Sequence, residues 1–491
     1  MDENSLLSEA QGQSNVYVNQ TDNDNESKVP DVFFSDPMTM QKLLSNNNED
    51  QFDVINKMRI ALSCPQDPPI AEFIRNNFVR PVINLIDDPT KTTDILFEAA
   101  WVLTNIASGS CSQVTELLNA GVLTPMYKLL QHEVITIVEQ VVWFVGNVAG
   151  DCDKCRKLLI NQGFPSAILQ VLRNQLPISN NTLFIVRIIV WTLTNFTRSA
   201  KYLKPSDLNQ WINILNEFLV SVDQEILSDS SWSTFYILDS FLSGEQNEII
   251  NIYIKSGLAS KIIANLKTDP PNISLSACLR SLGTLLTGND SQTDILLNLD
   301  CIEPLKNLLS SNKKEVRREA CWAISNITAG STKQIQLVID KNVFPKLVEI
   351  CYDSNFDIRK EAIWALSNAC TSATKEQIAY LFEINVLKCF SKEINCLDSS
   401  LMNVVLDALI RIITIGDKVK FDSNLPYNPF INAIDNAGIL RQCEMIIYDR
   451  KHDRLTQKAE QLINHCNERT NQQQMAFTDF NHNGFQGMPM Q

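Results

Sequence analysis

The sequence predicts an all-α solenoid built from stacked helical repeats, and three observations carry that prediction. An Asn follows a Trp by four residues at Trp101/Asn105, Trp143/Asn147, Trp191/Asn195, Trp322/Asn326 and Trp364/Asn368. With Ser240 and Thr284 taken as the equivalent slots between them, the steps from Asn105 to Asn368 are 42, 48, 45, 44, 42 and 42 residues, a period typical of armadillo or HEAT repeats. The 491 residues are 44% hydrophobic yet include only 15 glycines, which leaves little material for sheet turns. The expected architecture is a right-handed armadillo-repeat superhelix of about ten repeats.

Residues 1–50 hold ten acidic side chains against Lys28 and Lys42, among many Asn, Ser and Gln, a composition expected of a disordered acidic arm. From about Phe52 the apolar residues fall at helical spacing. Pro65, Pro68 and Pro69 interrupt the first helical unit before Ile70–Ile86 continues it. The array is expected over 51–466. Beyond Cys466, residues 467–491 are rich in Asn, Gln, Gly and Met and are expected to form a flexible tail. In Phe97–Leu130 the pattern reads as a helix ending at Ser108-Gly109, a second over Gln113–Asn119, punctuation at Gly121, and a third from Leu123. Gly109, Gly150, Gly244, Gly288 and Gly330 follow the ladder slots by three or four residues, and each is expected to be a left-handed helix cap. The longest step implies an insertion around Asn174–Asn181.

A net charge of −14 argues against nucleic acid as a direct ligand and favours a basic partner. No apolar run reads as long enough to span a bilayer. The 13 cysteines show no paired framework and no secretory leader opens the chain, so the thiols are expected to be reduced, in cytoplasm or nucleus.

Positions i and i+4 share one helix face, so each Trp and its Asn project side by side. Stacked helices about 8–10 Å apart match two or three residues of an extended peptide at about 3.3–3.6 Å each. An Asn amide can pair with the N–H and C=O of such a strand. Neighbouring indoles form slots for the stem and charged head of Lys or Arg, worth about 0.5–2 kcal/mol each. Acids one turn before the Trp, at Glu98, Glu319 and Glu361, and past the helix ends, at Asp151 and Asp290, are expected to select positive peptides. A single Trp at helical spacing is usually core, but five of seven in one repeat position, each with a partner Asn, are better explained by a ligand. Trp211 lacks such a partner and reads as core; Trp232 is ambiguous between core and ladder.

An enzyme is not expected, and neither is a cofactor or metal. None of the four histidines stands in a nucleophile or metal pattern, and Cys152-Asp153-Lys154-Cys155 is a single C-x-x-C without a second pair.

The segment Phe97–Gly109 (FEAAWVLTNIASG) resembles the second repeat of the importin alpha family. Val141–Asp151 (VVWFVGNVAGD), Val190–Arg198 (VWTLTNFTR), Leu279–Asp290 (LRSLGTLLTGND), Glu319–Gly330 (EACWAISNITAG) and Lys360–Asn368 (KEAIWALSN) resemble its later repeats in order. The resemblance implies a concave groove that binds nuclear localisation signals. It implies a major site of Trp101, Asn105, Ser108, Trp143, Asn147, Asp151, Trp191 and Asn195. It also implies a minor site of Arg280, Thr287, Asp290, Trp322, Asn326, Glu361, Trp364 and Asn368. The residues themselves predict a gap between the two, because Tyr236/Ser240 and Arg280/Thr284 replace Trp/Asn. That gap is about three repeat steps, roughly 30 Å.

Departures from the family pattern qualify these expectations. The family begins with a basic segment that binds importin beta and competes for the groove, whereas residues 1–50 are acidic. Autoinhibition in cis is therefore not expected, and coupling to importin beta is expected to be absent or weak. Ile188 stands where the family has a polar residue, and Arg411 occupies the ninth ladder slot. The resemblance also implies an export receptor as a partner, though no local motif marks its contact. Two functions follow: an adapter carrying basic cargo into the nucleus, or a scaffold that sequesters basic segments without importin-beta-dependent import.

Overall fold

The computed structural model describes residues 33–242, 244–268, 273–449 and 454–466. The expected acidic arm over 1–32 and the expected tail over 467–491 lie outside these residues. Every regular element among them is helical. They fall into two compact units divided after Asn174.

In the first unit the helices Asn48–Leu62, Thr93–Ala107 and Ile135–Asp151 pack face to face in succession. Shorter helices connect them, such as Cys111–Asn119 and Leu123–Leu129. The expected helix over 70–86 is divided into Ile70–Arg75 and Val79–Asp87, with Asn77 at φ 61° in the turn. Residues 33–50 correct the expectation of an arm disordered throughout. Asp36 caps the helix Pro37–Leu43 through its side chain, Leu43 is buried, and Phe34 packs edge-on against Phe73 and Phe78. The two aromatic contacts outweigh the polar composition locally.

In the second unit the long helices run Leu183–Thr197, Gln224–Ser240, Leu275–Leu285, Lys314–Thr328, Phe356–Ser372 and Ser399–Asp422, each packed on the next. The insertion expected around Asn174–Asn181 begins at the last residue of the helix Phe164–Asn174, and residues 175–182 contain no helix. Ser399–Asp422 corrects the reading that no segment is long and apolar enough to span a bilayer. Its 24 residues pass that test by length and composition, with 56% of the apolar window buried in the protein. Its apolar surface is that of a ladder helix packed on Phe356–Ser372.

The expected left-handed glycine caps are also corrected. Positive φ occurs one helix later, at Asn77, Gly121, Gly163, Gly257, Asp300, Asn342 and Asn385, in the turn before the short third helix. Gly, Asn and Asp are the residues that tolerate this conformation. Gly150 lies inside the helix Ile135–Asp151, and a Cβ on Gly244 would meet nothing within 4 Å. Gly109, Gly288 and Gly330 serve a different purpose. A Cβ there would stand 2.3, 2.5 and 1.8 Å from Oε1 of Gln113, Gln292 and Gln334. Those glutamines close capping boxes with Ser110, Asn289 and Ser331. The same side chains reach the preceding repeat: Gln292 Nε2 donates to the Asn247 carbonyl at 2.9 Å, and Gln334 Nε2 to the Asp290 carbonyl at 3.1 Å.

Gly330→Ala is expected to displace Gln334 and lower stability by about 1–3 kcal/mol. In a denaturant-unfolding cycle with Gln334→Ala the two losses should be strongly sub-additive, because both remove the same bonds; full additivity would rule out this role for Gly330.

Candidate functional site

The ladder residues stand on the long helices of both units, each at the position set by its i, i+4 spacing. In the first unit Trp101, Asn105, Trp143, Asn147 and Asp151 are half-buried and Ser108 is exposed. In the second, Trp191, Arg280, Trp322, Asn326, Glu361, Trp364 and Asn368 are half-buried, Thr287 and Asp290 are exposed, and Asn195 is buried. Trp211 is core, 2% exposed, with its indole N–H donating to Ser233 Oγ at 2.8 Å. The half-buried indoles present part of their surface to solvent, as a slot for another side chain requires.

The asparagines are anchored before any ligand arrives. Asn147 Nδ2 donates to the Thr104 carbonyl at 3.2 Å, Asn326 Nδ2 to the Gly283 carbonyl at 3.0 Å, and Asn368 Nδ2 to the Ser325 carbonyl at 3.1 Å. In each case the acceptor lies one residue before the preceding ladder slot. Asn105 Nδ2 instead donates to Ser63 Oγ at 3.0 Å, and Ser63 is itself 42 residues before Asn105. One N–H of each of these amides therefore fixes the side chain between repeats, and the amide still holds a second N–H and an acceptor oxygen. Trp322 is positioned by close approach: a Cβ on Gly283 would stand 2.1 Å from its ring.

The acids one turn before the Trp differ from expectation. Glu98 is 8% exposed and accepts from Arg59 Nε at 3.0 Å; Glu319 is 3% exposed and accepts from Arg280 Nε at 2.6 Å. Their charges are neutralised within the chain, so they are not a rim that steers ligands. Gln140 and Ile188 at the same position are also buried, so the apolar Ile188 removes no exposed contact. Glu361 alone in this position is half-buried without an ion pair among the described residues, and burial raises its pKa.

The same arginines occupy aromatic faces. The Arg59 guanidinium lies 4.8 Å from the Trp101 ring centre, that of Arg280 5.5 Å from Trp232, and that of Arg198 5.0 Å from Tyr236. Trp232 stacks on Tyr236 with centres 5.8 Å apart. The Lys201 N–H donates to Ser240 Oγ at 3.0 Å. The chain's own cations thus cover both aromatic rings of the Tyr236/Ser240 rung, one of them supplied by Arg280 of the next, and one face of Trp101. Sequence reasoning missed Arg59, although it stands 42 residues before Trp101, in the first-repeat Trp slot.

Sequence reasoning also missed Asp229, one turn before Trp232 on the helix Gln224–Ser240. Its side chain is half-buried. Loss of solvation, with a smaller contribution from the Glu225 charge, pushes its carboxyl pKa up to about 7. In the first unit, Asp151 stands beside three thiols. Hydrogen bonding to Asp151 is the main cause that raises the Cys111 pKa, and burial is the main one for Cys155.

The armadillo/beta-catenin-like repeat family model matches residues 66–108, 289–329 and 331–371. The chain is 33% identical over 418 residues to importin subunit alpha-1b of Oryza sativa subsp. japonica, covering 85% of this chain and 76% of that one. It is 34% identical over 424 residues to importin subunit alpha-3 of Arabidopsis thaliana, with the same coverage. A crystal structure of an engineered protein matches 89% of this chain and 99% of its own with a TM-score of 0.75; at 19% identity that likeness concerns the fold alone. The identity to these relatives, carried by an all-helical armadillo array with its Trp/Asn ladder, places the chain in the importin alpha family.

Proposed function

We propose that the protein is a non-enzymatic adapter that binds lysine- and arginine-rich nuclear localisation signals and moves between cytoplasm and nucleus. The observation that carries this reading is the set of half-buried indoles beside asparagines already anchored to the preceding helix. A preset amide loses little side-chain entropy on gripping a peptide backbone. The indoles take the methylene stems of basic side chains and attract their charge. In the first unit the binding residues are Trp101, Asn105, Ser108, Trp143, Asn147 and Asp151. In the second they are Trp191 and Asn195, and then Arg280, Thr287, Asp290, Trp322, Asn326, Glu361, Trp364 and Asn368. Arg280 acts there by holding Glu319 and covering Trp232 rather than by touching a cationic ligand.

Residues 1–50 carry ten acids and two lysines, so this segment does not imitate a basic signal, and importin beta recognition through it is weak or absent. An export receptor is a further partner by family likeness. The alternative is a scaffold with the same chemistry that holds basic segments without importin-beta-dependent import.

Calorimetry with a lysine-rich peptide tests the groove. Trp143→Ala combined with Asn147→Ala is expected to weaken binding at least tenfold, about 1.4 kcal/mol. The pair Trp364→Ala and Asn368→Ala should act mainly on longer, bipartite peptides. Unchanged affinity in both variants would remove the groove reading, and heat on adding importin beta would remove the reading of the arm.

Asp229 gives a pH test. Its pKa is higher in the folded protein than the ordinary aspartate value of 3.8, so the folded state binds more protons between about pH 4 and pH 7. Its contribution to stability is present at low pH and is lost as pH rises through about 7. Asp229→Asn should flatten the melting temperature between pH 5 and pH 8 relative to the parent; an unchanged pH profile would contradict the assignment.

A further inference from the structure

The C-x-x-C at Cys152 and Cys155 is single in the sequence, but the fold adds a third thiol and a carboxylate. Cys111 is the first residue of the helix Cys111–Asn119, Cys152 precedes the helix Asp153–Asn161, and Asp151 ends the helix Ile135–Asp151. Three helix ends of the first unit therefore meet at one place. The ligand atoms of Cys111, Asp151 and Cys152 all lie within 4.8 Å of one another. Cys155 Sγ is 3.6 Å from Asp151 Oδ2, and the Cys155 N–H donates to Cys152 Sγ at 3.3 Å.

We propose that Cys111, Asp151, Cys152 and Cys155 form a binding site for a soft or borderline divalent cation of the zinc type. A tetrahedral zinc ion with sulfur at about 2.3 Å requires donors slightly closer together than Cys111, Asp151 and Cys152 are, and Cys155, outside that group but bonded to Asp151, completes the set by turning its side chain toward the ion. Three sulfurs and one carboxylate suit zinc and disfavour magnesium or calcium, which take oxygen donors. Cys111 is exposed and Cys152 half-buried, which gives the ion a path in, while buried Cys155 closes the inner side. Bound metal would also hold the Asp151 carboxylate, making it unavailable to a basic side chain. That coupling rests on the proposed peptide groove; the metal site does not.

Cobalt(II), added to the full chain under reducing conditions, is the probe. The expected result is a near-ultraviolet thiolate-to-cobalt absorption with tetrahedral visible bands, both displaced by zinc. Cys111→Ser and Cys152→Ser should each weaken zinc binding at least about tenfold, while Cys64→Ser, which changes an exposed cysteine outside the cluster, should not. Circular dichroism melts establish that the variants fold. No thiolate absorption in the parent, or equal zinc affinity in folded Cys111→Ser, would overturn the site. Zinc should weaken a lysine-rich peptide in the parent and not in Cys111→Ser. Equal peptide affinity with and without zinc would overturn the coupling. A peptide that fails to bind the metal-free protein would count against the groove and leave the metal result standing.

Discussion

Stacked helices leave backbone N–H groups unsatisfied at each start, and in this protein the glutamine side chains that satisfy them also tie each repeat to the one before. Gln292, Gln334 and Gln377 each cap their own helix and also donate to a carbonyl 44 or 45 residues earlier. One residue type therefore closes the helix start and sets the distance to its neighbour. Gly288 and Gly330 stand before two of them because a Cβ would occupy the position of the glutamine oxygen. The ladder asparagines apply the same principle at the other end of the repeat, with one N–H joined to the preceding helix. Register between repeats and the orientation of the candidate binding amides thus have one cause.

The distribution of charge follows from that packing. A net charge of −14 suggests an acidic groove, yet two of the five acids expected to line it are buried against arginines. Ion pairs of this kind contribute little net stability, because desolvation offsets attraction, but removing one partner leaves an uncompensated charge. They also dispose of two aromatic faces, since Arg59 covers Trp101 and Arg280 covers Trp232. In the proposed reading, selectivity for a basic ligand falls on the uncovered indole surface and on acids without an internal partner among the described residues, Glu361 and Asp229 among them.

The fold was legible because a repeat writes its period into the chain. The five Trp/Asn pairs and the two slots between them fixed the ladder helices, and the middle helix Cys111–Asn119 and the turn at Gly121 fell where the pattern placed them. The errors share a physical origin. Gly109 and Gly330 follow a helix end, where a left-handed cap is the usual reason for glycine, but the reason here is the side chain of the capping glutamine four residues later. Phe33–Leu43 has the composition of a solvated arm, and its order comes from Phe73 and Phe78, which composition cannot reveal.

The sequence by itself determined the repeat period, the helix face that carries each Trp/Asn pair and the rungs where the pair is missing, because these depend on spacing along one helix. Tertiary structure decided which charges remain for a ligand, where the left-handed turns fall and which thiols meet. The charges and the thiols depend on a partner in a neighbouring repeat: Arg59 and Glu98 are 39 residues apart, and Cys111 stands 41 residues before Cys152. Periodicity makes such positions equivalent without saying which side chains touch. Contact is settled only when the helices stack and each buried group finds the partner its desolvation requires.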